Sequence, residues 1–201
     1  PAMNYRNATT SELYYRLQST SDDGRALAGK FYKDYPGCQG ASSQSGVISL
    51  TADKPLPDVA GWDLNFRIYW DGDLQDEILN KNVITKWNGW KPVTLRTFSG
   101  ARHTSGSKAV PNLSADILGD WREEVILCDA EDPSKLHIYT TTIPTEHRLY
   151  TLMHDSMYRL GIAWQNVGYN QPPHLGFYIG DGLKNIPWPE MYTPKSNLFS
   201  R

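Results

Sequence analysis

Short apolar runs alternate along the chain with polar turns rich in Gly, Pro, Ser and Asn. The runs at residues 12–18 (ELYYRLQ), 62–70 (WDLNFRIYW), 83–87 (VITKW) and 92–98 (PVTLRTF) have the length and alternation that are typical of β-strands. No stretch has the period of a long amphipathic helix, and only residues 153–159 (MHDSMYR) suit a short helical turn. The pattern therefore predicts an all-β fold.

One motif occurs twice in this pattern. Residues 72–79 (GDLQDEIL) match residues 119–126 (GDWREEVI), and Gly119 follows Gly72 by 47 residues. A period in the forties with several short strands per unit is typical of the blades of a β-propeller. The sequence therefore predicts a β-propeller, with room in this chain for about four blades.

A further blade is expected one period before the first motif. The segment Gly24–Leu27 stands at that position relative to the loop at Asp71. Its own loop lacks carboxylates, because Lys30, Tyr32 and Lys33 stand where acidic residues are expected. This first blade is thus predicted to lack the acidic feature of the next two.

The domain boundaries follow from the repeat and from composition. We place the propeller blades at residues 24–182, after a polar N-terminal segment at 1–23, of which residues 1–2 resemble a cloning remnant. Residues 183–201 are rich in proline and are expected to form a loosely attached tail.

Both copies of the motif crowd carboxylates between apolar runs. Such groups repel one another unless a cation neutralises them, and Ca²⁺ accepts six to eight oxygen ligands at short spacing. Each loop is a reduced form of the D-x-D-x-D-G-x-x-D calcium loop, and a solvated acidic turn is the alternative. If calcium binds, its removal is expected to lower the melting temperature. The candidate ligands are Asp71, Asp73 and Asp76 in the first loop, and Asp116, Asp120, Glu123 and Glu124 in the second.

Composition narrows the class of function. The net charge of −2 argues against a nucleic-acid-binding protein, which would be basic. No apolar run approaches the roughly 20 residues of a membrane-spanning helix. Two cysteines, Cys38 and Cys128, are too few for a disulfide framework. Seven Trp and 12% aromatic residues favour a protein that stacks on sugars, although large β-proteins also place aromatic residues in their cores.

Several stretches resemble one enzyme family. Residues 115–126 (ADILGDWREEVI) and 143–180 (IPTEHRLYTLMHDSMYRLGIAWQNVGYNQPPHLGFYIG) resemble the C-terminal half of the rhamnogalacturonan lyases of polysaccharide lyase family 11. Residues 69–79 (YWDGDLQDEIL) and 40–57 (GASSQSGVISLTADKPLP) are similar to that family as well. The resemblance extends over roughly residues 20–182.

This resemblance implies a fold, an activity and a compartment. It implies an eight-bladed β-propeller that binds Ca²⁺, and a secreted protein. It also implies β-elimination in the rhamnose–galacturonate backbone of pectin. The expected partner is therefore an acidic polysaccharide, rhamnogalacturonan, and neither nucleic acid nor a membrane.

The reaction requires a base, a positive charge near the uronate carboxylate and a proton donor for the leaving oxygen. Lys108, in an exposed SGSK loop, matches a lysine of the family in the same context and is the candidate base. A lysine can act as a base only where positive charge or burial lowers its pKa, and Arg102 or a bound Ca²⁺ could do so. Tyr169 is the second catalytic candidate, and Asn170 could donate hydrogen bonds to the substrate.

The remaining candidates are substrate-binding residues. Arg25 and Arg148 could grip uronate carboxylates, because a guanidinium group binds a carboxylate with two hydrogen bonds. Arg148 could instead pair with Glu146 or Asp155. Arg102 and His103 lie in the same loop as Lys108 and are expected near the substrate.

The family resemblance leaves two hypotheses open, because the enzymes of that family are much longer than this chain. The chain could contribute base and calcium sites to a lyase, or it could be a carbohydrate-binding half-propeller without turnover. Half a ring leaves two apolar blade faces open. A homodimer that completes the ring is the expected assembly, and a smaller closed ring and an unclosed fragment are the alternatives.

Overall fold

The computed structural model describes residues 2–18, 22–51, 56–57, 62–165, 167, 170–184 and 186–189. These residues form four antiparallel sheets and one α-helix. The expected all-β class is confirmed.

Each sheet is built from strands that follow one another in sequence. Sheet I is a two-stranded hairpin, sheet II has three strands, and sheets III and IV have four each. In sheet IV the long strand β12 lies between β13 on one side and β10 and β11 on the other. The strands are β1 Ala2–Arg6 and β2 Leu13–Gln18 in sheet I; β3 Leu27–Gly29, β4 Gln39–Ser42 and β5 Gly46–Ser49 in sheet II; β6 Phe66–Ile68, β7 Glu77–Asn80, β8 Val83–Trp87 and β9 Pro92–Thr97 in sheet III; and β10 Ala101–Arg102, β11 Leu113–Ala115, β12 Glu124–Asp129 and β13 Leu136–Tyr139 in sheet IV.

The sequence repeat is a structural repeat with the same register. In sheet III, Ile68 pairs with Glu77. In sheet IV, Ala115 pairs with Glu124, and each of these residues lies 47 positions after its counterpart. The predicted repeat unit therefore corresponds to one antiparallel sheet. Strand β6 of sheet III and strand β11 of sheet IV occupy equivalent positions in the two copies.

The inner strands of sheet III are buried on both faces, whereas its edge strand β9 is largely exposed. Ile78 belongs to the apolar cluster shared with sheet II, and the next residue, Leu79, belongs to the cluster shared with sheet IV. Successive side chains of a strand point to opposite faces of the sheet. Because Ile78 and Leu79 belong to different clusters, sheet III lies between sheet II and sheet IV. The first cluster contains Leu27, Phe31, Tyr32, Ala41, Val47, Trp62, Leu64, Ile78 and Trp87. The second contains Phe66, Ile68, Trp70, Leu79, Ile84, Phe98, Ala101, Val110, Val125 and Leu127.

A short helix covers the outer side of sheet IV. A 3₁₀ turn at Leu152–His154 leads into α1, Ser156–Ala163, in agreement with the helical turn expected near residues 153–159. The Asp155 side chain caps α1 by accepting a hydrogen bond from the Tyr158 backbone N–H. Tyr158 is fully buried in a third cluster with Tyr69, Trp121, Leu152 and Ile179. Within the described ranges, no helix has the length and apolar character that crossing a membrane requires.

The N-terminal hairpin packs against sheet II. The Tyr5 hydroxyl shares its single proton between two backbone carbonyls, those of Ala41 at 2.8 Å and Leu27 at 3.1 Å. Met3 is buried on the same face of β1. The hairpin therefore extends the packed structure beyond the predicted blades.

Candidate active site and acidic loops

The Lys108 loop is a fixed turn between β10 and β11. Thr104 and Val110 form an isolated antiparallel bridge at its base. Lys108 lies in a 3₁₀ turn, where its N–H donates to the Ser105 carbonyl at 2.6 Å. Ser105 and Ala109, on either side of this turn, have φ of 55° and 52°, a region that costs non-glycine residues energy. Strained backbone of this kind persists where surrounding contacts hold it, and it is frequent at functional sites.

Those contacts come from the neighbouring sheet. Asn65, which is buried just before β6, donates its side-chain amide to the carbonyls of Lys108 at 3.1 Å and Ala109 at 3.0 Å. The same amide also donates to Asn80 Oδ1 at 2.9 Å. Sheet III therefore fixes the backbone from which the Lys108 side chain extends.

Arg25 joins the Lys108 loop to the segment after α1. Its Nε and Nη2 donate to the Asn170 carbonyl at 3.1 and 3.0 Å, and its Nη1 donates to the Asn65 side chain. The Arg25 guanidinium also lies 5.4 Å from the centroid of the Phe66 ring. Burial lowers the pKa of Arg25 from its ordinary value. Arg25, Asn170 and Lys108 are thus brought together from three distant parts of the chain.

A cavity of about 220 Å³ opens at this junction, lined by Asp22, Gly24, Arg25, Lys108 and Gln171. Asn170, beside it, has a φ of 45°, and its side-chain amide donates to the Pro111 carbonyl at 3.3 Å. The cavity therefore combines an amine, a guanidinium, a carboxylate and an amide, which are groups that can bind an acidic sugar and move a proton.

The first acidic loop forms a cluster of three carboxylates. Asp71, Asp73 and Glu77 each offer an oxygen within 4.8 Å of the others, so this group could hold a metal ion. The Lys86 ammonium nitrogen lies 2.6 Å from Asp71, 2.7 Å from Asp73 and 2.8 Å from Glu77. Three carboxylates are suitable ligands for a cation. In this structure the Lys86 ammonium group supplies a positive charge at that position.

The pKa values of Asp71, Glu77 and Lys86 follow from their burial and from their mutual contacts. Burial raises the pKa of Asp71, but the Lys86 ammonium outweighs it, so the pKa of Asp71 lies below its ordinary value. Burial dominates at Glu77, whose pKa is raised well above its ordinary value. Burial lowers the pKa of Lys86, and the surrounding carboxylates more than reverse that effect. Lys86 is therefore charged throughout the physiological pH range.

Asp76, a predicted ligand, lies apart from this cluster. Its carboxylate is fully buried, 3.1 Å from Arg67 Nη1, and it accepts the Lys30 backbone N–H at 2.6 Å. The guanidinium of Arg67 also stacks over the Tyr69 ring, 4.3 Å from its centroid. The structure thus places Glu77, rather than Asp76, beside Asp71 and Asp73.

The carboxylates of the second loop bind protein donors. Asp116 accepts the Thr151 hydroxyl and the Leu152 N–H, both at 2.7 Å. Asp120 pairs with Arg122 at 2.5 Å.

The two glutamates of that loop are also hydrogen-bonded. Glu124 accepts the N–H groups of Ile117 and Leu118, at 2.8 and 3.0 Å. Glu123 accepts the Tyr158 hydroxyl at 2.7 Å. The described residues of this loop therefore do not form a metal-binding group of the kind found at Asp71.

Residues 1–189 match the model of the C-terminal domain of rhamnogalacturonan lyase family 11. The chain belongs to this family. It is 47% identical to the rhamnogalacturonan endolyase YesW of Bacillus subtilis, over 96% of this chain and 31% of YesW. It is 40% identical to the rhamnogalacturonan exolyase YesX of the same organism, over 96% of this chain and 34% of YesX.

Solved structures of family 11 lyases have the same fold. A crystal structure of YesW aligns with a TM-score of 0.85 at 48% identity, covering 95% of this chain and 33% of YesW. The Bacillus licheniformis rhamnogalacturonan lyase aligns with the same score and identity, over 94% of this chain and 32% of that lyase. This family 11 chain thus spans about a third of the length of the relatives that it matches.

The other predicted site residues of the family 11 chain lie in different surroundings. Arg102 is exposed, and its Nε donates to the Asp129 carbonyl at 3.4 Å. The His103 ring nitrogen Nδ1 lies 3.1 Å from the Thr104 carbonyl. Neither side chain lines the Lys108 cavity, and Arg148 lines a different cavity. Tyr169 lies outside the described residues.

Sequence reasoning missed Asn65 and Lys86. Asn65 has a polar amide side chain within the apolar run at residues 62–70. A polar residue in such a run indicates a buried side chain that forms hydrogen bonds. Lys86 lies on β8, one pair beyond the Ile78–Thr85 pair, so it reaches Glu77 across the sheet. Its role depends on strand pairing, which local spacing around the acidic loop does not specify.

Proposed function

We propose that this chain is the part of a rhamnogalacturonan lyase that carries the general base of β-elimination, Lys108. The observation that carries the proposal is that Lys108 and Arg25 line the same cavity. The family resemblance indicates Lys108, and the chemistry of uronate binding separately indicates Arg25. The named functions of YesW and YesX support the reaction class.

The proposed reaction removes the C5 proton of a galacturonate residue. The neutral amine of Lys108 takes this proton, a C4–C5 double bond forms, and the C4–O4 bond breaks. The leaving O4 takes a proton, for which Tyr169 remains the candidate donor. The products are a sugar chain that ends in an unsaturated uronate and a chain with a new hydroxyl group.

Positive charge near the uronate carboxylate stabilises the charge that develops as the proton leaves. Arg25 supplies it in our proposal, because its guanidinium is held at the cavity by the Asn170 carbonyl and the Asn65 side chain. A charge fixed in this way needs little reorganisation during the reaction. Asn170 and Gln171 line or flank the same opening and are proposed to orient the sugar.

Calcium is proposed as the metal of the first acidic loop. Asp71, Asp73 and Glu77 would hold it, since carboxylate oxygens are the ligands that Ca²⁺ prefers. The ion would compete with the Lys86 ammonium, which contacts all three carboxylates. When bound, Ca²⁺ would neutralise charge within the loop. None of these residues lines the Lys108 cavity, so the steps above do not depend on it.

Sheets II, III and IV are proposed to be consecutive blades of a propeller. Their shared apolar clusters and the repeated register support this reading. The ring would be completed from outside this chain, either by polypeptide equivalent to the remaining two-thirds of YesW or by a second copy, which would give six such sheets and not the eight blades that the resemblance implies. Since the proposed substrate is a plant polysaccharide, action outside the cell is part of the proposal.

The proposal is tested by incubating the protein with rhamnogalacturonan and, separately, with unbranched polygalacturonate. We expect ultraviolet absorbance from the unsaturated product with rhamnogalacturonan and none with polygalacturonate. Binding to rhamnogalacturonan without formation of this product would support the non-catalytic alternative and contradict the lyase proposal.

A further inference from the structure

A second cavity lies where the segment at residues 148–150 meets the segment at residues 184–188. Its volume is about 440 Å³, within the range of ligand-binding pockets. It shares no lining residue with the Lys108 cavity. Its lining residues are Arg148, Leu149, Tyr150, Lys184, Ile186 and Trp188.

Two aromatic side chains form one wall of this cavity. Trp188 is 76% exposed and Tyr150 is 38% exposed, and their ring centroids lie 5.3 Å apart. Contiguous apolar surface exposed to solvent can mark a binding site, and here the two rings line one cavity together with cationic side chains. Paired rings of this kind offer apolar faces to the C–H face of a sugar, while the indole N–H and phenol O–H can bond to its hydroxyl groups.

Two cationic side chains share the cavity. Among the described residues, neither Arg148 nor Lys184 forms an ion pair with a carboxylate. Within the part of the chain that the structure describes, no carboxylate therefore pairs with either charge, although the chain as a whole carries a net charge of −2. Adjacent unneutralised cations favour an anionic ligand, and a guanidinium group can bind a carboxylate with two hydrogen bonds.

We propose that Arg148, Tyr150, Lys184 and Trp188 form a second binding site for an acidic polysaccharide, separate from the Lys108 cavity. The cations bind the carboxylate of one uronate residue, and the aromatic rings stack against a neighbouring sugar. The combination of carboxylate and sugar chemistry distinguishes this ligand from an acidic peptide or a neutral glycan. The identity of the polymer as rhamnogalacturonan rests on the proposed function, and the site would hold that polymer on the protein between cleavage events.

The test measures binding of rhamnogalacturonan by affinity electrophoresis and calorimetry, with Lys108→Ala in every protein to prevent cleavage. Trp188→Ala removes the most exposed ring of the site. Trp90→Ala is the matched control, because Trp90 is 80% exposed and also has a cation near its ring, Lys91, at 5.6 Å from the centroid. We expect Trp188→Ala to weaken binding about tenfold and Trp90→Ala to leave it unchanged.

A second pair of measurements separates the charges from the rings. Replacing both Arg148 and Lys184 by Gln is expected to weaken binding to rhamnogalacturonan and to remove most of its salt dependence. Neutral galactan is expected not to bind to any of the proteins. An equal effect of Trp188→Ala and Trp90→Ala, or no binding by the Lys108→Ala parent, would overturn the proposal.

These binding data, together with the product assay on the unsubstituted protein, distinguish this site from the lyase proposal. If the unsubstituted protein forms no unsaturated product but Trp188→Ala still weakens binding, the polysaccharide site stands and the lyase proposal fails. If product forms and Trp188→Ala binds as tightly as the control, the lyase proposal stands and the second site does not.

Discussion

A single ammonium group lies among the three carboxylates of the first acidic loop. The Lys86 nitrogen lies within 2.8 Å of carboxylate oxygens from Asp71, Asp73 and Glu77. Lys86 and Glu77 are buried and the Asp73 side chain is 45% exposed, so removing Lys86 would leave three clustered carboxylates without this cation, one of them shielded from water. The loop would then have the charge and the ligands of a vacant calcium site.

Replacing Lys86 by Met is therefore expected to make stability depend on calcium. In a chelator, Lys86→Met should lose about 3–5 kcal/mol, the typical cost of removing one partner of a buried ion pair. Excess Ca²⁺ should restore about 5 °C or more of its melting temperature. The unsubstituted protein should respond much less, because Ca²⁺ must displace the ammonium group. Thermal melts of both proteins with Ca²⁺ and with chelator measure this, and equal responses would contradict the role of Lys86.

His174 is a partly buried, neutral imidazole. Its Nε2 accepts the Ala28 backbone N–H at 3.2 Å, which leaves Nδ1 as the protonated nitrogen, 3.1 Å from the Pro172 carbonyl. Burial, together with the positive charge of Arg67, lowers the pKa of His174 to about 3. In the unfolded chain the imidazole takes up a proton below its ordinary pKa of about 6.5.

His174 therefore contributes stability that is complete above pH ~6.5 and decreases as the pH falls from there toward about 3. Between pH 7.5 and 5.5 the protein should lose about 1 kcal/mol of unfolding free energy through this residue. His174→Gln, which keeps an acceptor for Ala28, should reduce that decrease. Urea denaturation at several pH values measures the difference, and identical pH profiles for the two proteins would exclude His174 as its source.

Neighbouring sheets are joined by a repeated backbone and side-chain link. The Asp76 backbone N–H donates to the Lys30 carbonyl at 2.8 Å, and the Asp76 carboxylate accepts the Lys30 N–H at 2.6 Å. One sheet further along, Glu123 makes the same two bonds with Tyr69, at 2.8 and 2.9 Å. These acidic residues, which resemble metal ligands in the sequence, connect one sheet to the next.

Asp76→Ala is expected to destabilise the protein by about 3–5 kcal/mol, because it breaks this link and removes a partner of the buried Arg67. Asp132→Ala is the matched control, since Asp132 pairs with the exposed Lys135 at the surface. It should change stability far less than Asp76→Ala does, because exposed ion pairs contribute little. Chemical denaturation compares them. Similar losses for both variants would mean that Asp76 does not join the sheets.

The repeat was the most predictive feature of the sequence. Residues 72–79 and 119–126 correctly predicted strands in equivalent register, because a repeated pattern of apolar residues requires a repeated packing environment. The same spacing did not show that Glu77, rather than Asp76, lies beside Asp71. That distinction depends on Lys86 from the adjacent strand and Arg67 from β6, which are tertiary contacts. The meeting of Arg25 with Lys108 likewise required the fold, since only the family resemblance singled out Lys108.

For the whole molecule, the decisive fact is that the chain spans about a third of YesW. If a second copy completes the proposed ring, light scattering should give twice the chain mass of 22.8 kDa. A well-folded sample at the mass of one chain would contradict the homodimer. It would leave a companion polypeptide as the source of the missing blades.

The central claim is that Lys108 is the base of a lyase reaction. The most direct measurement is the rate of unsaturated product formation from rhamnogalacturonan by Lys108→Ala, with Lys135→Ala as the surface-lysine control. We predict that Lys108→Ala lowers the rate by about a hundredfold or more, as expected for a lost general base, with the melting temperature unchanged. Lys135→Ala should keep full activity. Full activity in Lys108→Ala would contradict the account and remove Lys108 from the mechanism.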